Sequence, residues 1–394
     1  MNILANTNKT SCNGCSACSN VCPVDAIRFI PDEIGFLYPS IDSNICIKCK
    51  KCEAICSETQ IANLKEPLQV YAAANKNRNA LYNSSSGGIF SVLAEHILQN
   101  NGIVCGCVFD SSLNPIHICT EKREEFLLMQ KSKYAQSDIK FVYREIKEYL
   151  KKGKTVLFTG TPCQVSALYS IVGRNHENLV TMDLICHGVP SNAMFHKFLS
   201  YLEKKYKTKI INFDFRSKKY GWPRFTMEFT NNSGKIKNIG KYDEFYIPAF
   251  TSGNMMRPSC FDCTYATPKR IGDITIGDFW GHEKVDLPFD ISRGLSVFTL
   301  NSKTALNFLP VFQESLHTMA IDYQIAVTHN TCLNRPTSKG NKWDFYMTAF
   351  KNDNIESAAK QYIETHKNRI LQFRIKNLIP KEIFIKLKKM RTKT

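Results

Sequence analysis

From Val70 onward, apolar positions come in short runs that alternate with segments of helix length. "QVYAAAN" and "IVCGCVFD" read as strands, and "GGIFSVLAEHILQNNG" between them reads as a helix closed by Gly102. In "DIKFVYREIKEYLKKG" the residues Phe141, Val142, Ile146, Tyr149 and Leu150 share one helical face, and Gly153 stands past its end. "KTVLFTG" then predicts a strand, "PCQVSALYSIV" a helix, "LVTMDLIC" a strand, and Ala193 to Lys205 another helix. This strand–helix period predicts an α/β core. The first sixty residues follow a different pattern. "VDAIRFIPDEIGFLYPSIDSN" has apolar runs broken by Pro, Asp and Gly, which suits a small hairpin in an α+β module. A polar joint near Ala62 to Pro67 separates the two patterns, so the expected domains are 1–62, 68–345 and a basic helical tail over 346–394.

Composition narrows the class. The chain has 394 residues, 43% of them hydrophobic, enough for two or three cores. "MNILANTNKT" lacks a basic segment followed by an apolar one, and no apolar run reaches about 18 residues, so a cytoplasmic location is expected. Without a secretory leader, sixteen cysteines point to metal or redox chemistry rather than a disulfide framework. The net charge of +17 is concentrated at one end. Thr365 to Thr394 carry seven Lys, three Arg and one Glu, a charge of +9, which leaves +8 (17 − 9) for the rest. No RNA-binding signature or finger motif accompanies the charge, so nucleic acid is not an expected partner. After Pro380, Ile383, Phe384, Leu387 and Met390 fall on one helical face, with Lys381, Lys386, Lys388 and Lys389 elsewhere. Such a helix suits peripheral contact with an anionic membrane at its inner face; the other reading is a solvated, frayed end.

The cysteine spacing is more specific. "CNGCSACSNVCP" places Cys12, Cys15, Cys18 and Cys22 in the pattern C-x2-C-x2-C-x3-C-P, and "CIKCKKCEAIC" repeats it at Cys46, Cys49, Cys52 and Cys56, with Ser57 in place of the final Pro. In this double run the fourth cysteine ligates the other cluster. Two 4Fe-4S clusters are expected, one on Cys12, Cys15, Cys18 and Cys56, the other on Cys46, Cys49, Cys52 and Cys22. Such a module moves single electrons and has no substrate of its own.

The larger segment holds four further candidate thiols. Cys163 in "TGTPCQ" falls at a helix N-terminus, where unpaired N–H groups and the helix dipole stabilise a thiolate. A nucleophile, a redox thiol, a metal ligand and a buried cysteine all remain open there. Cys186 in "ICHG" is another strand end, and "RPSCFDCTY" supplies Cys260 and Cys263, so a four-thiolate site for a third cluster or for zinc can be assembled. His187 is read as a satisfied histidine. Cys105, Cys107, Cys119 and Cys332 are expected as buried structural thiols. "NSSSGG" before a helix is either a phosphate cradle or a set of caps.

In succession, "NSSSGGIFSVLAEHIL", "KSKYAQS", "FTGTPCQVSAL", "ICHGVPS", "FRSKKYGW", "SCFDCTYATPKRIGDITIGDFWG" and "GLSVFTLNS" resemble the coenzyme F420 hydrogenase/dehydrogenase beta-subunit family over roughly Val70 to Ser302. The cysteine module resembles bacterial two-cluster ferredoxins. The resemblance implies an α+β ferredoxin module followed by an α/β flavin-binding domain, and an oxidoreductase that passes electrons between 4Fe-4S clusters and a hydride-accepting or hydride-donating substrate through FAD. It makes Cys163, Cys186, Cys260 and Cys263 ligands of a third cluster. It makes Ser85, Ser86, Gly87, Gly88, Lys133, Tyr134, Gln136, Thr159, Gly160, Thr161, Gln164 and Asp278 the flavin surround, with Trp280 near the same pocket. The implied partner is a small-molecule substrate or a redox protein; in a second reading the chain only relays electrons to another enzyme. Relatives that fuse this domain to ferredoxin occur with surface polysaccharide pathways, which gives an expectation about role. The fused ferredoxin departs from a plain hydrogenase subunit, and the sequence does not show that F420 itself is used.

Overall fold

The computed structural model describes residues 9–56, 63–174 and 176–378. The amino-terminal module is a hairpin of β1 (Ile27–Pro31) and β2 (Leu37–Ile41), paired antiparallel, with short helices Ala17–Val21 and Lys51–Ala54 beside it.

The main sheet collects β3 (Gln69–Asn75), β4 (Ile103–Phe109), β5 (Pro115–Thr120), β6 (Val156–Gly160) and β7 (Leu179–Leu184). A separate antiparallel sheet follows, made of β8 (Ile210–Ser217), β9 (Thr226–Asn231) and β10 (Ile236–Gly240). The chain then returns to the main sheet with β11 (Ile274–Asp278), β12 (Ser296–Leu300) and β13 (Leu316–Ala320), giving the order β13-β3-β12-β11-β7-β6-β4-β5. The neighbours β11/β7, β7/β6 and β6/β4 are parallel, and the flanking pairs are antiparallel. As β3 is antiparallel to β12, and β12 to β11, strands β3, β4, β6, β7 and β11 all point one way. Their carboxyl ends therefore share one edge.

The central strands are apolar on both faces because both faces are covered. Ile103, Cys105, Val156 and Phe158 point to a core shared with helices Val142–Lys151 and Pro162–Val172, while Val104 and Leu157 point to the opposite core with helix Ile89–Gln99. This is the period of two expected of a strand buried on both sides. The face of Val142–Lys151 differs from the expectation at two positions. Phe141 lies outside the helix and is exposed, and Tyr143 is fully buried, because the amino-terminal module covers that flank.

A third core joins helix Asn192–Tyr206 to the small sheet. Phe195 stacks on Phe109 at 5.5 Å and meets Phe215 at 5.0 Å and Phe213 at 5.3 Å. The expected boundary at 346 falls inside a helix, Trp343–Lys351, whose Tyr346, Met347 and Phe350 enter this same core. Helix Ile355–Leu378 adds Ile355, Ala358, Ala359 and Tyr362, so the first part of the expected tail is packed protein. The basic amphipathic stretch after Pro380 lies outside the described residues. Among the described residues, no helix is long and apolar enough to cross a membrane.

One expectation about the cysteines is corrected. Cys105 and Cys119 face each other in the β4/β5 register with Cα atoms 4.1 Å apart and form a disulfide, so they are not free thiols. Sequence spacing did not show that β4 and β5 are neighbouring antiparallel strands, which is what brings the two together. Cys107 is a free, partly buried thiol and Cys332 a buried one.

Phe195 is fully buried in an aromatic cluster, so Phe195→Ala is expected to cost about 3–5 kcal/mol. Chemical denaturation of the variant would show this as an earlier midpoint, and an unchanged midpoint would contradict the packing described.

Candidate redox site

The two cysteine runs of the amino-terminal module adopt the same backbone. In the first, Gly14 (φ 68°) and Ser16 (φ 64°) are left-handed; in the second, Lys48 (φ 56°) and Lys50 (φ 59°) occupy the corresponding places. Non-glycine residues hold this conformation only where their surroundings demand it. Here the repeated turn brings successive cysteines to one side.

Cys12, Cys15, Cys18 and Cys56 form one neighbourhood. Burial above all, with Cys163, Cys12 and Cys56 adding to it against the Ala17 N–H, pushes the Cys15 thiol up to about 12. Burial, then Cys15, Cys12 and Cys56, holds Cys18 well above the ordinary thiol range. Cys22 instead lines a cavity with Cys46, Cys49 and Cys52, closed by Ile27, Ile41 and Ile47. Its Sγ accepts a hydrogen bond from Ala26 N at 3.3 Å. Thus the fourth cysteine of each run lies with the first three of the other.

The third set gathers at the carboxyl edge of the main sheet. β6 ends at Gly160, and Thr161 caps helix Pro162–Val172 in a capping box with Gln164, with Pro162 at the first turn. Cys163 follows, its Sγ 3.1 Å from Thr161 Oγ1. The N–H of Gln164 at the helix end lowers this thiol, but burial outweighs it. Burial pushes it up to about 11, against the Thr161 hydrogen bond, with Cys263 adding to the rise. Cys186 follows β7, and its Sγ accepts from Gly188 N at 3.4 Å. Burial raises Cys186 well above the ordinary range, and Cys260, Cys163 and Cys263 add to it. Cys260 lies within the turn Pro258–Asp262 and Cys263 directly follows it, and burial lifts Cys260 to about 12. Four mutually repelling buried thiols are costly as thiolates without a cation. Among the described residues, no three His, Cys, Asp or Glu side chains converge as they would around a single metal ion.

The expected flavin surround divides into two groups. Ser85, Ser86, Tyr134 and Asp278 meet around Arg216, whose Nη1 donates to Tyr134 Oη at 3.0 Å and to Asp278 Oδ2 at 2.9 Å, and whose Nη2 donates to the Ser85 carbonyl at 3.2 Å. Burial would raise the Asp278 carboxyl, but Arg216, Ser86 and Trp222 hold it below the usual range. Lys218, 1% exposed, donates to the Leu81 and Ser86 carbonyls, and burial together with Arg216 lowers it to about 7. Arg216 Nε is buried without a partner, an orphan donor among these groups. An orphan guanidinium donor suits an anionic or carbonyl acceptor. Trp280 is exposed and stacks on Trp222 at 5.5 Å.

The second group surrounds the start of helix Pro162–Val172. Gln164 Oε1 accepts from Thr161 N at 3.0 Å and its Nε2 donates to Ser137 Oγ at 3.0 Å. The Thr159 carbonyl lies 3.1 Å from His117 Nε2. Lys133 Nζ donates to the Leu128 and Gln130 carbonyls at 2.7 and 2.9 Å, and burial lowers it to about 8. Gln136 is turned away, its Nε2 donating to the Asn13 carbonyl of the amino-terminal module at 2.9 Å. Gly87 and Gly88 open helix Ile89–Gln99 against the sheet; a Cβ on Gly87 would collide with the Ala73 carbonyl.

Sequence reasoning quoted "FRSKKYGW" without assigning a role to Arg216 or Lys218. It passed over Tyr143, Arg144 and Arg257, which bind the cysteine module. For Arg216 and Lys218 the available signal was cationic residues closing the strand β8. His187, expected to be satisfied, is so, with Nε2 3.0 Å from the Thr251 carbonyl and Nδ1 3.4 Å from Cys332 Sγ.

Residues 153–322 match the family model for the C terminus of the coenzyme F420 hydrogenase/dehydrogenase beta subunit, and residues 11–60 match that of a 4Fe-4S dicluster domain. No curated protein matches the chain. Among solved structures, a chain from the F420-reducing NiFe hydrogenase complex of Methanosarcina barkeri is similar at 17% identity and a TM-score of 0.44, covering 79% of this chain and 95% of that one.

Two outcomes follow from the buried charges. Asp278→Ala leaves Arg216 buried and unpaired and is expected to cost about 3–5 kcal/mol, read as a lower urea midpoint. Burial lowers His117 to about 4, opposed by the Thr159 carbonyl, so the folded protein keeps it neutral. As pH falls below about 6.5 the unfolded chain takes up a proton that the folded chain refuses. Stability tied to His117 is thus intact above about pH 6.5 and lost by about pH 4, a change of roughly 3 kcal/mol. A His117→Gln variant should lose this part of the pH dependence, measured by denaturation across that window.

Proposed function

We propose that this chain, a 4Fe-4S dicluster domain joined to the C-terminal domain of a coenzyme F420 hydrogenase/dehydrogenase beta subunit, is an iron–sulfur flavoprotein oxidoreductase. In this reading electrons move between a partner at the amino-terminal module and a hydride-exchanging small molecule at the carboxyl edge of the main sheet. The observation that carries it is the contiguity of the thiol sets. Cys15 of the first feels the charge of Cys163 of the third, while the second lies beyond the first through the crossed cysteines. In this reading electrons pass through the three sets toward the residues around Arg216.

Several features support iron–sulfur ligation at Cys163, Cys186, Cys260 and Cys263. The four thiols are near enough to raise one another. Gly188 N–H donates to Cys186 Sγ, a type of contact that tunes cluster potentials. The cluster of Ser85, Ser86, Tyr134, Arg216, Lys218 and Asp278 suits FAD through its hydrogen-bonding groups and the orphan Arg216 Nε. A bound flavin takes up a hydride as two electrons and passes them on singly, the link needed between such a substrate and a line of clusters. The chain itself orients the groups and excludes water. Asp278 fixes the Arg216 fork and the Trp222 indole, and Tyr134 is held by Arg216 and stacked on Phe250 at 4.7 Å. The edge position agrees with the general placement of ligands outside the carboxyl ends of parallel strands.

Anaerobic purification with iron, zinc and FAD counted per chain tests the reading. About twelve irons and one FAD are expected, whereas about eight irons with one zinc would remove the third cluster. Cys163→Ser should lower the iron content and uncouple FAD from the ferredoxin clusters. Full iron retention in that variant would remove Cys163 from the ligand set.

A further inference from the structure

Arg257 is fully buried, and among the described residues no carboxylate pairs with it. Its donors go to neutral groups. Nε donates to the Cys12 carbonyl at 2.7 Å, Nη2 to the Leu37 carbonyl at 2.9 Å, and Nη1 to Gln136 Oε1 at 3.0 Å. Nη2 also lies 3.8 Å from Cys12 Sγ, and the guanidinium covers the Tyr38 ring at 4.3 Å. On the other side, the Arg257 carbonyl accepts from Cys260 N at 2.9 Å, which ties the same residue to the third thiol set. Gly14 makes room for this approach, since a Cβ there would lie 2.8 Å from Gln136 Nε2 and 3.0 Å from Arg257 Nη1.

Carbonyl oxygens satisfy the donors of a guanidinium but do not cancel its charge. A buried, uncompensated charge is strongly destabilising. Elsewhere in this fold, buried arginines have carboxylates: Arg216 has Asp278, and Arg270 has Asp183 at 3.2 Å. For Arg257 the available negative charge is sulfur. Cys12 is in contact, and Cys163 and Cys260 both feel its field.

We propose that Arg257 is a positioning residue set between the first and third thiol sets, and that its buried charge raises the reduction potentials of the clusters bound on either side. The proposal rests on the reading that these sets hold 4Fe-4S clusters. Added positive charge favours the more negative, reduced state, and net charge and hydrogen bonds to sulfur are among the determinants of such potentials. The second set, Cys22, Cys46, Cys49 and Cys52, has no contact with Arg257 and serves as an internal reference.

The test is an EPR-monitored redox titration of the intact protein, with iron counted in each sample. In Arg257→Gln, which removes the charge but retains a donor, the first and third clusters should titrate at lower potential while the second stays in place. Arg257→Lys, which keeps the charge, should titrate as wild type. Full iron with unmoved potentials in Arg257→Gln would overturn the proposal, as would equal shifts at all three clusters or equal shifts in the two variants. If Arg257→Gln loses iron, Arg257→Lys decides: wild-type potentials with full iron support a charge effect, and shifted potentials overturn it. A wild-type protein with about eight irons would instead remove the third-cluster reading, and the first cluster's shift would still test Arg257.

Discussion

The carbonyl groups of the first cysteine run are bound by side chains from elsewhere in the chain, and the rest of the site depends on this. Arg257 holds the Cys12 carbonyl, Gln136 that of Asn13, and Tyr143 that of Cys15, while Arg144 takes those of Ser19, Asn20 and Cys22. A loop that coils around a cluster leaves its carbonyls without secondary-structure partners, and burying them unpaired would be costly. The larger domain supplies the missing donors. The amino-terminal module is therefore seated on the sheet domain, with Cys15 beside Cys163.

The second organising element is strand direction. Because β3, β4, β6, β7 and β11 run the same way, the segments following them converge on one edge. Cys163 comes after β6, Cys186 after β7, Asp278 ends β11, and the Ser85–Gly88 turn follows β3. Ser85 and Asp278, nearly two hundred positions apart, meet there because β12 pairs antiparallel with both β3 and β11, and the parallel pairing of β11 with β7 brings Cys186 to the same edge. The buried Arg270–Asp183 pair helps hold that junction, with Gly272 N donating to Asp183 Oδ2 at 3.0 Å. Its donors are largely satisfied by local carbonyls, so its role is to fix the geometry rather than to act on a ligand.

Three buried arginines thus divide the electrostatic work. Arg270 pairs with a carboxylate within the sheet, Arg216 pairs with one at the sheet's carboxyl edge and keeps an orphan Nε, and Arg257 stands among sulfurs. Buried charge remains affordable where each guanidinium meets a negative or strongly polar partner. The helix N-terminus at Cys163 is a weaker influence than burial, which is why its thiol is raised rather than lowered. A deprotonated sulfur there needs a cation beyond the helix dipole.

Much of this was legible in the residues themselves. The double C-x2-C-x2-C-x3-C run stated its own chemistry, because ligand spacing is local and the turns that present it recur in both copies. The alternation at Ile103–Cys105 and Val156–Phe158 stated that these strands are covered on both faces. The antiparallel sheet of β8 to β10, the Cys105–Cys119 disulfide, the burial of Tyr143 and the packing of helix Trp343–Lys351 were not legible. Each depends on which distant segment lies opposite, and periodicity carries no information about that. The same holds for Arg257. Its position three residues before Cys260 could be read from the chain, but only the docked module shows that its charge faces Cys12 instead of a carboxylate. Local spacing determined the ligands, whereas long-range pairing decided their neighbours, because electrostatic environment is set by proximity in space.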